Sequence, residues 1–227
     1  MVARVQTVAF AGIEVLDVDV QLQVSSGLPA FTVVGLPDKA VAESRERVRA
    51  ALHAMGLALP NKRITVNMAS ADLLKEGSHF DLPIAIGLLA AMDALPMDEI
   101  GAYMMLGELG LDGGLTRVTE VLPVAIHANA SGRGLICPGV QGPEAAWTGE
   151  VEVLAPPNLL ALVNHFKGTQ VLTPPEARLS DDAPRYPDMA DTKGQETAKR
   201  AVEIAAAGGR NLFILFFIDR TYCGAFG

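Results

Sequence analysis

A run of twelve residues at positions 13–24, IEVLDVDVQLQV, alternates apolar and polar side chains almost strictly. Because successive side chains of an extended chain point to opposite faces, this period of two predicts a β-strand with one buried face and one wet face. Residues 2–10 alternate in the same way, and Gly12 lies where a turn would join the two segments. The two segments are therefore predicted to pair as antiparallel strands with one solvent-facing side.

The composition limits what can pack against this sheet. Half of the 227 residues are hydrophobic but only 5% are aromatic, so the core must be built from Ala, Val, Leu and Ile, which suits an α/β protein. The length allows one sizeable domain plus a fragment. The formal net charge of −8 argues against broad attraction of this chain to DNA or to an anionic membrane, and leaves a local basic patch open.

Further strands and helices are predicted from periodicity and from turn residues. Asp38 is predicted to cap the first helix, and Asp112-Gly113-Gly114 is predicted to form the turn of a hairpin. The predicted elements are a strand at 31–35, a helix at 38–55, a strand at 63–69, a helix at 81–94, a hairpin at 103–115, a helix near 120–131, strands near 134–138 and 151–155, and a helix at 157–167.

Nothing in the sequence indicates a membrane or an oxidising compartment. There is no run of about 18 apolar residues, and the first residues lack the features of a secretory signal. Cys137 and Cys223 share no metal-ligand spacing. We expect a cytoplasmic protein with no membrane partner.

The last part of the chain changes in character. Residues 173–190 are rich in Pro and Asp and are predicted to be a linker after a first domain at 1–172. Residues 191–211, DTKGQETAKRAVEIAAAGGRN, predict a helix with a Gly-Gly stop, and the apolar run LFILFFI that follows predicts a strand. The final residues, DRTYCGAFG, fit neither pattern.

Four segments in this order resemble the magnesium-chelatase-like AAA+ ATPase family that includes ComM and YifB. They are GIEVLDVDVQLQVSSGLPAFTVVGLPDKAVAESRERVRAAL, LPNKRITVNMASADLLKEGSHFDLPIAIGLLAA, GELGLDGGLTRVTEVLPVA and KGQETAKRAVEIAAAGG. The resemblance implies an α/β (α+β) N-terminal domain with a fold similar to the Lon protease domain and ribosomal protein S5 domain 2, followed by an AAA+ module. It also implies that intact relatives use ATP and Mg, form hexamers and, in ComM members, drive branch migration of DNA.

The resemblance makes one absence informative. In the family, the strand after the Gly-Gly stop leads into a G-x-x-x-x-G-K-[ST] loop, whose amides and lysine hold the nucleotide phosphates. Here DRTYCGAFG follows, so we expect no cofactor in this chain and interpret residues 213–227 as an anomalous tail after an incomplete module at 191–212, produced by a frameshift or a premature end. Gly194 and Gln195 correspond to the region beside the adenine, although helix initiation alone is the favoured role here.

The resemblance to Lon-type enzymes also raises the question of a Ser-Lys dyad, in which lysine accepts the serine proton. The alignment places Asp81 at the serine position and Leu122 at the lysine position, so neither group is present. Ser78 with Lys75 is the possible substitute. The favoured alternative is that Ser78 begins to cap the next helix while Lys75 is solvated, so no peptidase activity is expected.

Two other clusters were weighed. Glu76, His79 and Asp81 could bind a divalent metal, but a polar helix start is the favoured reading. Residues 38–63 contain six basic and three acidic residues, which could contact nucleic-acid phosphates or a neighbouring subunit. The favoured alternative is the solvated face of a helix, with Glu43 and Arg47 forming an i,i+4 pair.

These observations predict a noncatalytic interaction and assembly domain of a magnesium-chelatase-like AAA+ ATPase, with self-association as its expected partner interaction. Two alternatives stay open. One is a Lon-like Ser-Lys peptidase domain, and the other is a subunit of a magnesium-chelatase-type complex.

Overall fold

A computed structural model describes residues 2–12, 14–69, 73, 75, 77–178, 191, 193–210 and 212, with only the backbone of Asp38. The chain divides into two compact units, residues 1–180 and residues 181–227. Apart from Leu212, the predicted strand at LFILFFI lies outside the described residues, as does the predicted tail at 213–227.

The first unit is built on a sheet that, in the described part of the chain, has seven strands in the order β3-β4-β2-β1-β5-β8-β9, beside a small two-stranded sheet of β6 and β7. The strands are β1 (Val2–Ala11), β2 (Glu14–Ser25), β3 (Ala30–Val34), β4 (Arg63–Ala69), β5 (Tyr103–Met105), β6 (Glu108–Leu109), β7 (Leu115–Thr116), β8 (Gly134–Ile136) and β9 (Val153–Leu154). Most neighbouring strands of the large sheet are parallel, which confirms the α/β class.

Helices follow or separate the strands in the order α1 (Asp38–Ala54), α2 (Asp81–Ala91), α3 (Met97–Ile100), α4 (Val121–Ala130), α5 (Gly142–Ala145), α6 (Leu159–Phe166) and, in the second unit, α7 (Glu196–Ala207). Short 3₁₀ turns flank α5 at Gly139–Gln141 and Ala146–Thr148. None of these helices has the length and apolar character needed to cross a membrane.

The predicted pairing of the first two strands is confirmed. β1 and β2 are antiparallel, with Val5 opposite Val20, and Gly12 between them has a left-handed φ of +64°. Val18, Val20 and Leu22 of β2 are fully buried at every second position, while the residues between them are less buried. The alternation predicted this register because slipping by one residue would turn the apolar set towards solvent.

The predicted hairpin over 103–115 is wrong in its first half. Residues 103–105 form β5, which lies parallel to β1 and β8 in the large sheet, and only β6 and β7 make the antiparallel hairpin. All three β5 residues are buried, as is typical of a strand covered on both faces. The short apolar run therefore does not indicate which strands it pairs with.

Two helix ends also differ from the predictions. Asp38 is the first residue of α1 and the preceding Pro37 occupies the cap position, so the predicted capping role of Asp38 is wrong. α2 ends at Ala91, three residues before the predicted end, because Asp93 has a left-handed φ of 58° that breaks the helix.

α2 is the central helix of the core. Its residues 81–90 are all buried, and it contacts β1, β2 and α1. This burial on all sides agrees with the predicted apolar helix whose faces are both covered. A second apolar cluster, around Val8, Met104 and Leu135, is packed against α4 and contains Cys137.

Cys137 is expected to be inert in the folded protein. Its side chain is fully buried, and burial, with a smaller effect of Glu144, raises the pKa of the thiol to about 12. Since the thiolate is the reactive form, labelling at pH 8 should be at least roughly 10³-fold slower than for an unfolded thiol of pKa about 8.5. Reaction with a chromogenic disulfide in a Cys223→Ser background, with and without urea, measures this. Fast labelling of the native protein would contradict the burial.

Residues on both sides of the predicted domain boundary at 172 contact other parts of the first unit. Leu172 packs against the core, and its amide donates to Nδ1 of His165 at 3.1 Å. Nε1 of Trp147 donates to the carbonyl oxygen of Arg178 at 3.2 Å. The segment boundaries at 172 and 190 stay predictions.

Candidate functional site

Asp81 lies at the first turn of α2 and is the most deeply buried charged group of the candidate site. Its side chain is 0% exposed and bonds to Arg47 of α1 through both oxygens, with Nε–Oδ2 at 2.5 Å and Nη2–Oδ1 at 3.1 Å. The backbone amide of Leu109 in β6 donates to Oδ2 at 3.3 Å. One carboxylate therefore joins α1, α2 and β6, and both of its oxygens are engaged.

The electrostatics of this pair follow from burial and contact. Burial raises the pKa of Asp81, and the hydrogen bonds from Arg47 oppose that shift. The Asp81 carboxylate in turn raises the pKa of Arg47. The buried Ser44 hydroxyl also favours the charged carboxylate, although its geometry falls short of a formed hydrogen bond. The site has the character of a bidentate structural ion pair.

The predicted roles of Ser78 and Lys75 are both wrong. The Ser78 hydroxyl donates to Oε2 of Glu108 across to β6, while α2 begins after Phe80 without a side-chain cap. Lys75 is only 2% exposed, and its ammonium donates to the carbonyl oxygen of Leu73 at 3.2 Å. Leu73 itself packs against the core.

Leu122, at the position that the resemblance assigns to a catalytic lysine, lies on α4 and is half-buried. It offers no group that could accept a proton. Asp81 and Ser78 are thus each bound to a neighbouring side chain, Asp81 to a guanidinium and Ser78 to a carboxylate. The geometry suits joining elements of the fold.

His79 is buried between aromatic rings. Its Nε2 lies 3.0 Å from the carbonyl oxygen of Val8, so that nitrogen carries the proton and donates, and the ring centroid is 4.0 Å from that of Phe80 and 5.5 Å from that of Phe10. Glu76, the first residue of the predicted metal cluster, lies outside the described residues. Among those that are described, no group of three His, Cys, Asp or Glu side chains is placed to hold a metal ion.

Stability is expected to fall as the pH drops from 7 to 5, in part because of His79. Burial lowers the pKa of His79 below its usual value of 6.5, so in this range the unfolded chain binds the proton more readily than the folded chain. Urea unfolding at several pH values should show a shallower slope for His79→Phe than for the wild type. His53→Gln, at an exposed position of α1, is the matched control for the loss of an imidazole. An unchanged slope in His79→Phe would contradict this assignment.

A groove of about 850 Å³ opens beside α1, and we call it the basic groove. Its cations come from two places, Arg45 and Arg49 on α1 and Lys62 before β4, and Glu46 is the one carboxylate among the lining residues that the structure describes. The predicted Glu43–Arg47 pair is present at 4.0 Å, but Arg47 directs its stronger bonds inward to Asp81. Within the basic stretch at 38–63, Arg47 therefore bonds the buried Asp81, and Arg45, Arg49 and Lys62 line the open groove.

The Asp81–Arg47 bond was missed by the sequence predictions, which paired Arg47 only with Glu43. A signal was present. Asp81 opens a helix whose other residues are almost all apolar, and a carboxylate buried in such a helix needs a partner. Arg47 precedes the buried Val48 by one residue and the buried Ala51 by four, so it lies beside the core-facing stripe of α1.

In the second unit, Gly194 and Gln195 precede α7. Both have left-handed backbone conformations, with φ of 70° and 57°, and both are exposed. The carbonyl oxygen of Gln195 accepts from the Lys199 amide at 3.0 Å, which begins the helical hydrogen bonds. This contact is the one expected of helix initiation.

Comparison with protein-family models gives two matches. Residues 20–141, more than half of the chain, match the family described as subunit ChlI of Mg-chelatase. Residues 188–216 match the family described as magnesium chelatase, subunit ChlI. The chain belongs to the ChlI-type ComM/YifB family. The first ChlI match contains the Asp81–Arg47 pair and α1 with its basic groove, and the second contains Gly194 and Gln195.

Individual relatives agree with this assignment to the ComM/YifB family. The chain is 39% identical over 218 residues to the competence protein ComM of Haemophilus influenzae, a match covering 94% of this chain and 43% of the relative. It is 38% identical over 211 residues to the uncharacterized protein YifB of Escherichia coli, covering 93% and 42%. The uncharacterized protein Rv2897c of Mycobacterium tuberculosis is 34% identical, covering 93% and 42%. The chain thus spans less than half the length of these relatives.

Proposed function

We propose that this chain is a noncatalytic interaction and assembly domain of a magnesium-chelatase-like AAA+ ATPase. The observation that supports this most directly is the state of Asp81, which stands at the position of the Lon-type nucleophile. Its carboxylate is fully buried and holds Arg47 with both oxygens, so it is unavailable to attack a substrate. Its role is to fasten α1 and β6 to the start of α2.

The proposal extends to the longer protein that the family implies. In that protein we propose that ATP and Mg bind the AAA+ module, with Gly194 and Gln195 on the adenine side, in a hexameric ring in the cytoplasm. We propose branch migration of DNA as the activity, because one relative is named a competence protein. This part of the proposal rests on family membership and on the first domain serving as its assembly unit.

Four measurements on the purified chain test the proposal. Sedimentation velocity across a hundredfold range of concentration should show reversible self-association. Casein cleavage and labelling by a serine-reactive fluorophosphonate should both be absent, and calorimetry should show no tight uptake of ATP. A strictly monomeric chain, or stoichiometric ATP binding, would overturn the proposal for this chain.

A Lon-like peptidase is the second candidate, and one observation favours it. Lys75 is buried, and a dyad needs a desolvated lysine whose pKa is lowered. Against it, the Ser78 hydroxyl donates to the Glu108 carboxylate, and the Lys75 ammonium donates to the Leu73 carbonyl oxygen. Casein cleavage lost in both Ser78→Ala and Lys75→Met, but kept in Ser131→Ala at an exposed position, would establish the peptidase and displace the first proposal.

A further inference from the structure

Charge is distributed unevenly along the first unit. Residues 76–116 contain seven acidic residues and no lysine or arginine. Three of the acids, Asp93, Asp98 and Glu99, are exposed around α3, and none of them forms an ion pair with a residue that the structure describes. We call residues 93–99 the acidic corner. Pro96 and Met97, both partly exposed, lie between its carboxylates.

The basic groove has the opposite character. Arg49 and Lys62 are exposed and form no ion pair within the described part of the chain, and Arg45 pairs only with its neighbour Glu46 at 3.3 Å. The walls between these cations are apolar, and Leu111 among them is 68% exposed. Uncovered apolar side chains rimmed by unpaired charge are typical of a surface that meets a partner.

We propose that the basic groove receives the acidic corner of a second copy of this chain. The corner supplies both features that the groove lacks, carboxylates for Arg49 and Lys62 and an apolar tip, Pro96-Met97, for the walls. The groove lining and the corner share no residue, so the same pairing can repeat head to tail from one copy to the next or close reciprocally in a two-fold dimer. The head-to-tail arrangement generates a ring when its rotation closes.

This inference rests on the proposed assembly role and names the surfaces that carry it. A second copy is favoured over nucleic acid as the occupant for two reasons. The chain as a whole carries a net charge of −8, which repels a polyanion, and Glu46 contributes a carboxylate to the groove itself. An acidic protein tip with only three carboxylates and an apolar centre avoids much of that repulsion.

Charge exchange between the two surfaces tests the inference. The groove variant, Arg49→Glu with Lys62→Glu, and the corner variant, Asp98→Lys with Glu99→Lys, are each expected to weaken self-association at least tenfold in sedimentation at moderate salt. Mixing the two variants should restore association to within about threefold of wild type, because opposite charges then face each other again. Lys167→Glu, at an exposed position after α6, is the charge control and should associate like the wild type.

The outcomes separate this inference from the proposed function. If the wild type does not associate at all, both fail. If it associates and neither double variant changes the affinity, or if the mixture fails to recover, the assembly role stands and this pairing of surfaces is overturned. Anisotropy with a labelled 20-nucleotide DNA is measured in parallel. Loss of DNA binding in the groove variant, with unchanged self-association, would assign the groove to nucleic acid and overturn the inference.

Discussion

Replacing Arg47 with alanine is expected to destabilise the domain by about 3–5 kcal/mol, the usual cost of leaving a buried charge without its partner. Asp81 is 0% exposed. Without Arg47 its carboxylate would lose both bonds from the guanidinium and would keep the hydrogen bond from the Leu109 amide in β6. The free energy of unfolding in urea, followed by circular dichroism at pH 7, measures the effect.

The pH dependence of Arg47→Ala gives a second readout. Burial raises the pKa of Asp81, and loss of Arg47 removes the largest influence that lowers it. The folded variant then binds a proton more tightly than the unfolded chain, so part of the lost stability should return as the pH falls from 7 towards 4. No such recovery would indicate that the carboxylate finds another partner.

Two variants control for the loss of side-chain volume and of helix charge. Arg49→Ala lies on the exposed part of the same helix and should change stability by no more than about 0.5 kcal/mol. The double variant Arg47→Met with Asp81→Leu removes both charges and should recover much of the loss, because apolar replacements of a buried pair are often neutral. A loss below 1 kcal/mol in Arg47→Ala alone would refute a structural role for the pair.

Gly87→Ala is expected to destabilise the domain by about 1–3 kcal/mol, even though helix propensity alone favours alanine over glycine by up to about 1 kcal/mol. A Cβ at this position would lie 2.2 Å from Cδ1 of Leu22 and 3.3 Å from Cγ2 of Val5. Both neighbours are fully buried in the sheet beneath α2, so neither can swing into solvent. Thermal and urea unfolding of the single variant show whether the steric clash or the helix propensity of alanine determines the sign of the stability change.

A double-mutant cycle isolates the steric cause. Leu22→Ala alone should cost about 2–5 kcal/mol through the cavity it creates. Combined with Gly87→Ala, the loss should be smaller than the sum of the two single losses, since the added methyl group enters the space that Leu22 vacates. Strict additivity, or a Gly87→Ala protein more stable than wild type, would contradict the close packing of α2 on β2.

Much of the fold was predictable because its signals are local. The alternation in residues 13–24 specified a strand, its buried face and its antiparallel partner, since each of these follows from side-chain direction along one extended segment. The continuous apolar run at 81–91 likewise specified a helix covered on both sides. The partners of β5 were wrongly predicted, because three buried residues are too few to indicate which strands they pair with.

The candidate site was only partly predictable. The sequence singled out Asp81, Ser78, Lys75 and His79. In the structure the side chains of Asp81, His79 and Lys75 are buried and that of Ser78 is partly exposed. The burial of Lys75 was not predicted, since this side chain had been expected in solvent. Burial of a lysine depends on how its loop lies on the rest of the protein, and no periodicity within ten residues encodes that. The family resemblance supplied the comparison with Lon-type enzymes and could not supply the bonding partners of these groups.

By itself, the sequence determined the α/β class, the central hairpin, the apolar central helix and membership of a ChlI-type family, because local periodicity and ordered motifs are readable along one chain. Only the tertiary structure decided that Arg47 makes its shorter bonds to Asp81, 34 positions away, while Glu43 stays at 4.0 Å, and that Ser78 reaches Glu108, 30 positions away. The partner that a charged side chain bonds depends on the desolvation cost at its position, and that cost is set only after the chain has packed.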